Sequence, residues 1–209
     1  MERELKFLLE HAHAPTLPSG LRAAEPQPAI HFLDEYLDYR GELLAAGWRL
    51  RRRRSDGVEL RYTLKSEQHG DPSSPLRERV EIERASEHDE QIPLEIVAAL
   101  DGAGVDTAHV LDHLQPYLTL RQERHPVALT TSDGEIALLS VDEVRASGSA
   151  ADGELRWTEL EIEFLDSVSP EVRNQAAAEL TAWLTAQPGV TPGGESKVAR
   201  AARLLSISI

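Results

Sequence analysis

The chain has 209 residues, no cysteine, and 36 Asp and Glu against 22 Lys and Arg, a formal net charge of −14. Disulfides and thiolate chemistry are therefore excluded, and nucleic acid is not an expected partner, because phosphate binding over an extended surface needs a basic face. No run approaches the roughly 18 apolar residues of a membrane span and the charged N-terminus has no signal-peptide core, so a cytoplasmic protein without membrane attachment is expected.

One domain covering residues 1–209, with room for a sizeable core, fits this length. The first predicted element is the strand "ERELKFLL". Alternate side chains of a strand face opposite ways, so Glu2, Glu4 and Lys6 share one face while Leu5, Phe7 and Leu9 share the other. Pro15 to Pro28 reads as a loop. In "GWRLRRRR" the alternate set is Arg49, Arg51, Arg53. A hairpin turn at Ser55 to Gly57 leads to a strand with Val58, Leu60, Tyr62 and Leu64 on one side and Glu59, Arg61, Thr63 and Lys65 on the other. Gln68 to Pro75 is a second loop, and beyond it Val80 and Ile82 oppose Arg77, Arg79, Glu81 and Glu83. Leu94 to Gly102 has helical spacing. A second turn falls at Ser132 to Gly134, and near residue 160 Leu160, Ile162 and Phe164 oppose Glu159, Glu161 and Glu163. Pro170 to Ala186 is helical, with proline in its first turn. Gln187 to Gly194 is a loop and Glu195 to Leu205 a short helix.

A half-buried antiparallel sheet predicts polar-out alternation, but not three like charges in a row. Like charges about 6.6 Å apart repel by roughly 0.6 kcal/mol in water and about 2.5 kcal/mol at an effective dielectric near 20. On an open surface that is tolerable. In an enclosure the triplets persist only with counter-charges or ligands, metal ions for the acidic sets and phosphate for the basic ones. Both kinds on several long strands suggest a closed barrel with its charged faces inward and its apolar faces packed under helices outside.

These segments resemble, in order, the motifs of the CYTH superfamily, the triphosphate tunnel metalloenzymes. "ERELKF" is similar to the ExExK signature, and "EYLDYRGELLAAGWRLRRR" to the YxDT, leucine-rich helix and LRxR stretch, with Arg51 and Arg53 as the pair; Arg49 is an alternative to Arg53 because one residue is missing before it. "YTLK" resembles the strand ending in lysine, here Lys65; "RERVEIE" gives Arg79; "YLTLRQER" gives Arg121 and Arg124; "TELEIEF" is similar to the late ExExE strand; and "ESKVARAARL" to the closing Ser-Lys helix with Lys197. Tyr39 stands where the family usually has Thr, and Leu138 where a Glu often stands, while Asp142 fits an acidic position.

The resemblance implies an α+β fold built on an eight-stranded antiparallel tunnel with helices outside, and divalent-metal-dependent hydrolysis of a triphosphate. Inorganic triphosphate is preferred, because aromatic content of 5% offers few surfaces for stacking a base. Class IV adenylyl cyclase, thiamine triphosphatase and non-catalytic polyphosphate binding are the alternatives, Leu138 being in keeping with weakened catalysis. By the same resemblance Lys6, Arg51, Arg53, Lys65, Arg79, Arg121, Arg124 and Lys197 hold the phosphates, through bidentate guanidinium contacts and lysine point charges. Glu2, Glu4, Asp142, Glu159, Glu161 and Glu163 supply oxygen ligands for Mg²⁺ or Mn²⁺. Glu2, Glu4 and Lys6 form the catalytic group. The expected partner is a small anionic substrate; a homodimer is left open, as is a helical phosphate-binding domain following this one. His11 and His13 have an HxH spacing without matching zinc ligands elsewhere, and Trp48, Trp157 and Trp183 read as core or rim packing.

Overall fold

The computed structural model describes residues 2–11, 16–56, 58–66, 76–86, 91–149 and 153–207, with backbone alone at 2, 58, 59 and 76–79. Gly57, His13 and the predicted loop at 68–75 lie outside the described residues.

The alternation read from the sequence becomes a ring of antiparallel strands. From β1 (Glu2–Leu9) the order runs through β10 (Leu155–Phe164), β9 (Gly134–Gly148), β8 (Gln115–Thr131), β3 (Ile30–Asp38), β4 (Trp48–Ser55) and β5 (Val58–Ser66). The eighth strand is one stretch of chain in two parts. Its second part, β7 (Glu81–Ser86), pairs with β5, and its first, β6 (Leu76–Arg79), pairs with β1, so the segment closes the ring. At the joint, Ser66 N donates to the Val80 carbonyl at 3.0 Å and Val80 N donates to Ser66 Oγ at 3.1 Å, which keeps the backbone paired through the break. Two short strands inside predicted loops are added, β2 (Arg22–Ala23) on β8 and β11 (Val190–Pro192) on β1. The turn at Ser132 and Asp133 joins β8 to β9, with Thr131 opposite Gly134.

The apolar faces point outward, reversing the usual barrel polarity, and two clusters cover them. Leu5, Phe7, Leu139, Val141, Leu160 and Ile162 pack against Ala176, Ala177, Leu180 and Leu184 of α4 (Pro170–Thr185). That helix is started by Pro170 at its first turn and by Ser169 Oγ, which accepts from Val172 N. On the other side Leu37, Leu50, Tyr62 and Leu64 lie under α1 (Glu42–Ala45), α2 (Leu94–Gly102) and α3 (Thr107–Val110), meeting Leu43, Ile96, Leu100 and Val110. Each buried Leu, Ile, Val or Phe among them contributes about 1.5–3 kcal/mol.

One helix does not pack outside. Val198 and Ala201 of α5 (Lys197–Leu204) pack on Tyr36, Leu118, Leu120, Val144 and Ala146. Those residues have the parity of the charged inner faces, so α5 plugs the barrel at one end. Among the described residues no helix is long and apolar enough to cross a membrane.

Candidate functional site

Above α5 the ring encloses a cavity of about 630 Å³. Among the described residues seven cationic side chains line it, Lys6, Arg49, Arg51, Arg53, Lys65, Arg124 and Lys197. Seven acidic ones face them, Glu4, Asp34, Glu81, Glu83, Glu161, Glu163 and Asp166. Counted over the described residues the lining is formally neutral, inside a chain of net charge −14, and holds about a third of its 22 lysines and arginines.

Strand register explains how these charges meet. Arg49, Lys65 and Glu81 stand on one rung across β4, β5 and β7, and Lys65 Nζ lies 2.8 Å from Glu81. Arg51, Thr63 and Glu83 form the next, with Arg51 donating to Thr63 Oγ1 at 2.8 Å and to Glu83 at 3.3 Å. Asp34 is opposite Arg53, which reaches it through two hydrogen bonds of 2.6 Å, and Gln122 adds a third of 2.6 Å. Burial opposes ionisation of Asp34, but Arg51 and Arg53 outweigh it and hold its pKa below the ordinary value. Glu83 is lowered in the same way, burial being overcome by Arg61 and Arg51.

On the opposite wall Glu161 faces Lys6 across β10 and β1, and Glu163 faces Glu4. Glu161 accepts from Lys6 at 2.8 Å, Lys197 at 2.6 Å and Arg124 at 2.6 Å. Burial would raise its pKa; Lys197, Lys6 and Arg124 together drive it well below the carboxylate range. Lys6 Nζ also lies 3.3 Å from Glu4, so one ammonium sits between two carboxylates. Lys197, pushed down by burial, is raised overall by Asp142 and Glu161.

Not every residue singled out in the sequence opens on this cavity. Arg121 is exposed on the outer face of β8, because side chains alternate and Gln122 and Arg124 take the inner positions. Asp142 is fully buried behind the lining, held by Arg124 at 2.6–2.8 Å and Lys197 at 2.8 Å. Glu159 is also behind it, receiving the Trp157 indole N–H at 2.7 Å, and burial raises its pKa. The side chains of Glu2 and Arg79 lie outside the described residues; their backbones are register partners. Arg49 and Arg53 both line the cavity, and Leu138 is opposite Glu163 in its wall.

Asp34, Tyr36, Gln122 and Asp166 are lining residues that sequence reasoning passed over. Parity carried a signal for two of them: counting by twos inward from Asp38 gives Tyr36 and Asp34. Asp38 itself accepts from the N–H groups of Tyr39, Leu43 and Leu44 at 2.7, 3.0 and 3.2 Å, tying the start of α1 to the end of β3. None of Trp48, Trp157 and Trp183 lines the cavity. Among the described residues no group of three or more His, Asp or Glu side chains stands close enough to hold a metal ion. Lys6 and Lys197 occupy the gaps between the carboxylates.

The sequence matches the CYTH domain model over residues 1–201. In fold it is similar to the Hippeastrum protein HpAC1, an adenylyl cyclase candidate described as having dominant triphosphatase activity, at 19% identity and a TM-score of 0.63, over 97% of this chain and 96% of that one. The PH1819 protein of Pyrococcus horikoshii OT3 is similar at 17% identity and a TM-score of 0.51, over 98% of each chain. No curated protein matches the sequence significantly. Closed by one split strand, plugged by its last helix and matched by the family model along nearly its whole length, the chain belongs to the CYTH domain family.

Proposed function

We propose that the protein hydrolyses a triphosphate with the help of a divalent cation, inorganic triphosphate being cleaved to pyrophosphate and phosphate. The observation that carries this is the enclosure of seven lysines and arginines and seven carboxylates in one cavity of about 630 Å³. A neutral or apolar substrate offers nothing to such a lining. A phosphoanhydride chain with a bound cation has a partner for each half of it.

Arg51, Arg53, Lys65, Arg124 and Lys197 hold and orient the phosphate chain in this reading, and the additional Arg49 belongs with them. The Nε atoms of Arg49 and Arg51 are buried with no hydrogen-bond partner among the described residues, which suits donors awaiting phosphate oxygens. The acidic side chains that open on the cavity fit a hard cation: Glu4, Glu161 and Glu163 offer oxygen donors, and the Lys6 ammonium already bridges Glu4 and Glu161 as a cation would. Because no three such side chains among the described residues stand close enough to hold the ion alone, these would hold Mg²⁺ or Mn²⁺ together with phosphate oxygens of the substrate, and the ion would supply charge neutralisation and a more acidic water. Asp142 and Glu159 support Lys197 from behind. The attacking water's oxygen bonds to a terminal phosphorus, the bridging P–O bond breaks, pyrophosphate leaves with the electron pair, and the water's proton passes to the released phosphates or to solvent. Few aromatic groups line the cavity, Tyr36 and Phe164 both being largely buried, which favours the inorganic substrate over a nucleotide.

Phosphate release from tripolyphosphate, ATP and thiamine triphosphate, with cyclic AMP formation measured in parallel under Mg²⁺ and Mn²⁺, tests this. The expected result is tripolyphosphate turnover at the highest kcat/KM. Absence of phosphate release with every divalent cation would overturn hydrolysis, and cyclic AMP as the main product would transfer the site to cyclase chemistry.

A further inference from the structure

The outer face of the sheet carries a second charge pattern. Arg54 of β4 is opposite Leu33 of β3, Leu33 is opposite Arg121 of β8, Arg121 is opposite Arg145 of β9, and Arg145 is opposite Arg156 of β10. Four arginines therefore stand on one rung across five strands. All have the parity that faces away from the cavity. Adjacent strands lie about 4.8 Å apart, so the rung is about 19 Å long.

Like charges directly opposite one another destabilise a sheet, and a chain of net charge −14 has carboxylates enough to break such a row. At its ends they do: Arg54 is paired with Glu35 at 2.6 Å and Arg156 with Glu154 at 2.7 Å. At its centre they do not. The side chains of Arg121 and Arg145 are both exposed and make no hydrogen bond or ion pair with any other described residue, although Glu123 and Glu143 stand two residues along the same strands. Glu123 instead meets His31 and His125. The two central arginines and Arg54 border a groove of about 500 Å³, whose far side is lined by Asp56, Glu123 and Glu143.

We propose that this row is a binding site for a linear polyphosphate chain on the outside of the barrel, separate from the cavity. Shape and charge select the ligand. The site is one residue wide and long, and its neighbouring rung, about 6.8 Å away, is acidic at Glu123 and Glu143. A single file of phosphates laid along the arginines stays one rung away from those carboxylates, which border the same groove. A nucleic-acid duplex presents phosphates on two strands, across grooves of about 6 or 12 Å, and lays its second strand on or beyond the acidic rung. The proposal concerns binding alone and does not depend on turnover in the cavity.

The test uses the full chain in EDTA, titrated calorimetrically with polyphosphate about 15 phosphates long, and compares variants that change the outer row and leave the cavity intact. Wild type binds. Arg145→Glu/Arg156→Glu binds at least tenfold more weakly, and its slope of log affinity against log salt is shallower by about 2, because two phosphate contacts no longer release counter-ions. Arg145→Lys/Arg156→Lys stays within about threefold of wild type. Arg145→Ala alone, which adds no new charge, loses about threefold or more and serves if the double reversal does not fold. Equal binding by wild type and the charge-altered variants overturns the site, and duplex DNA or a thymidine oligomer binding as tightly as polyphosphate overturns the choice of ligand. Hydrolysis of tripolyphosphate is read separately. Arginine-dependent polyphosphate binding without hydrolysis refutes the proposed activity and leaves the outer row standing; hydrolysis without such binding does the reverse.

Discussion

Replacing Lys197 by methionine preserves most of the side chain's volume and removes its charge and its donors. The lysine is 8% exposed, and its Nζ lies 2.6 Å from Glu161, 2.8 Å from Asp142 and 3.7 Å from Glu159. After the change Asp142 keeps Arg124, and Glu161 keeps Lys6 and Arg124. Glu159 is the loser: Arg200, at 3.8 Å, becomes its nearest ion-pair partner. Removing one partner of a buried ion pair costs about 3–5 kcal/mol. For a chain of this size each kcal/mol moves Tm by about 2–4 °C, giving a fall of roughly 6–20 °C. The loss is pH-dependent with a definite sign. Glu159 already has a folded-state pKa raised by burial, and losing Lys197 raises it further. A carboxyl whose folded pKa exceeds its unfolded one gives stability that is complete below the unfolded value and disappears as pH rises through the folded value. The deficit of the variant is therefore largest near pH 7.5 and narrows as pH falls toward 5. Urea unfolding of wild type and variant at both pH values measures it. A deficit below about 1 kcal/mol at pH 7.5, or one that widens on acidification, refutes the ion-pair account of how α5 is held.

Glu4→Gln should lower phosphate release from tripolyphosphate by about 100-fold, near 2.7 kcal/mol of transition-state stabilisation, with an unchanged circular dichroism spectrum; full activity would falsify the place of Glu4 in the reaction. Asp34→Asn leaves Arg51 and Arg53, side by side on β4, with less counter-charge, so the midpoint of urea unfolding should fall by an amount equivalent to about 3 kcal/mol, whereas an unaltered midpoint would show that the arginines need no internal partner. Asp34, Glu83 and Glu161 have folded pKa values below the ordinary carboxylate range, so their stabilisation is present above the unfolded value and is lost as pH falls through the folded ones. Tm should accordingly drop steeply below about pH 4, and a flat profile down to pH 3 would contradict it.

Period-two alternation made the strands and their charged faces legible, and the helix at Leu94–Gly102 has the bounds that its spacing predicts. Inward polarity was legible because acidic and basic triplets both recur on several long strands, and a closed ring lets the two kinds neutralise each other. Two things were not. Arg121 and Arg124 belong to one motif but are an odd number of residues apart, and the alternation that identifies the strand forbids both from reaching the same lumen. Nor did the sequence tell a carboxylate that lines the cavity from one that sits behind it. Asp142 and Glu163 both belong to acidic inward positions, yet Asp142 is sealed in and Glu163 is exposed. That difference is made by α5, whose Lys197 reaches Asp142 and Glu161 from 55 and 36 residues away. Nothing local to β9 or β10 records it. The helix reads as an ordinary amphipathic surface element, because Val198 and Ala201 fit an outer groove as well as an inner one.

The charges of the cavity are largely engaged with one another: Lys6 with Glu4 and Glu161, Arg51 with Asp34 and Glu83, Lys65 with Glu81, Arg124 and Lys197 with Glu161. A triphosphate entering alone draws arginines away from carboxylates that are themselves buried, and each carboxylate left without a cation carries a desolvation penalty of several kcal/mol. A divalent cation entering with the triphosphate compensates those same carboxylates. The two ligands must then favour each other's binding, and by linkage the factor is the same in both directions. Calorimetry with a non-hydrolysable triphosphate analogue should show affinity at least tenfold higher with Mg²⁺ than with EDTA, a coupling of about 1.4 kcal/mol or more. Equal affinity in the two conditions would mean that the phosphate chain never competes for the internal partners. The neutral lining would then be a scaffold that leaves some other group to meet the substrate.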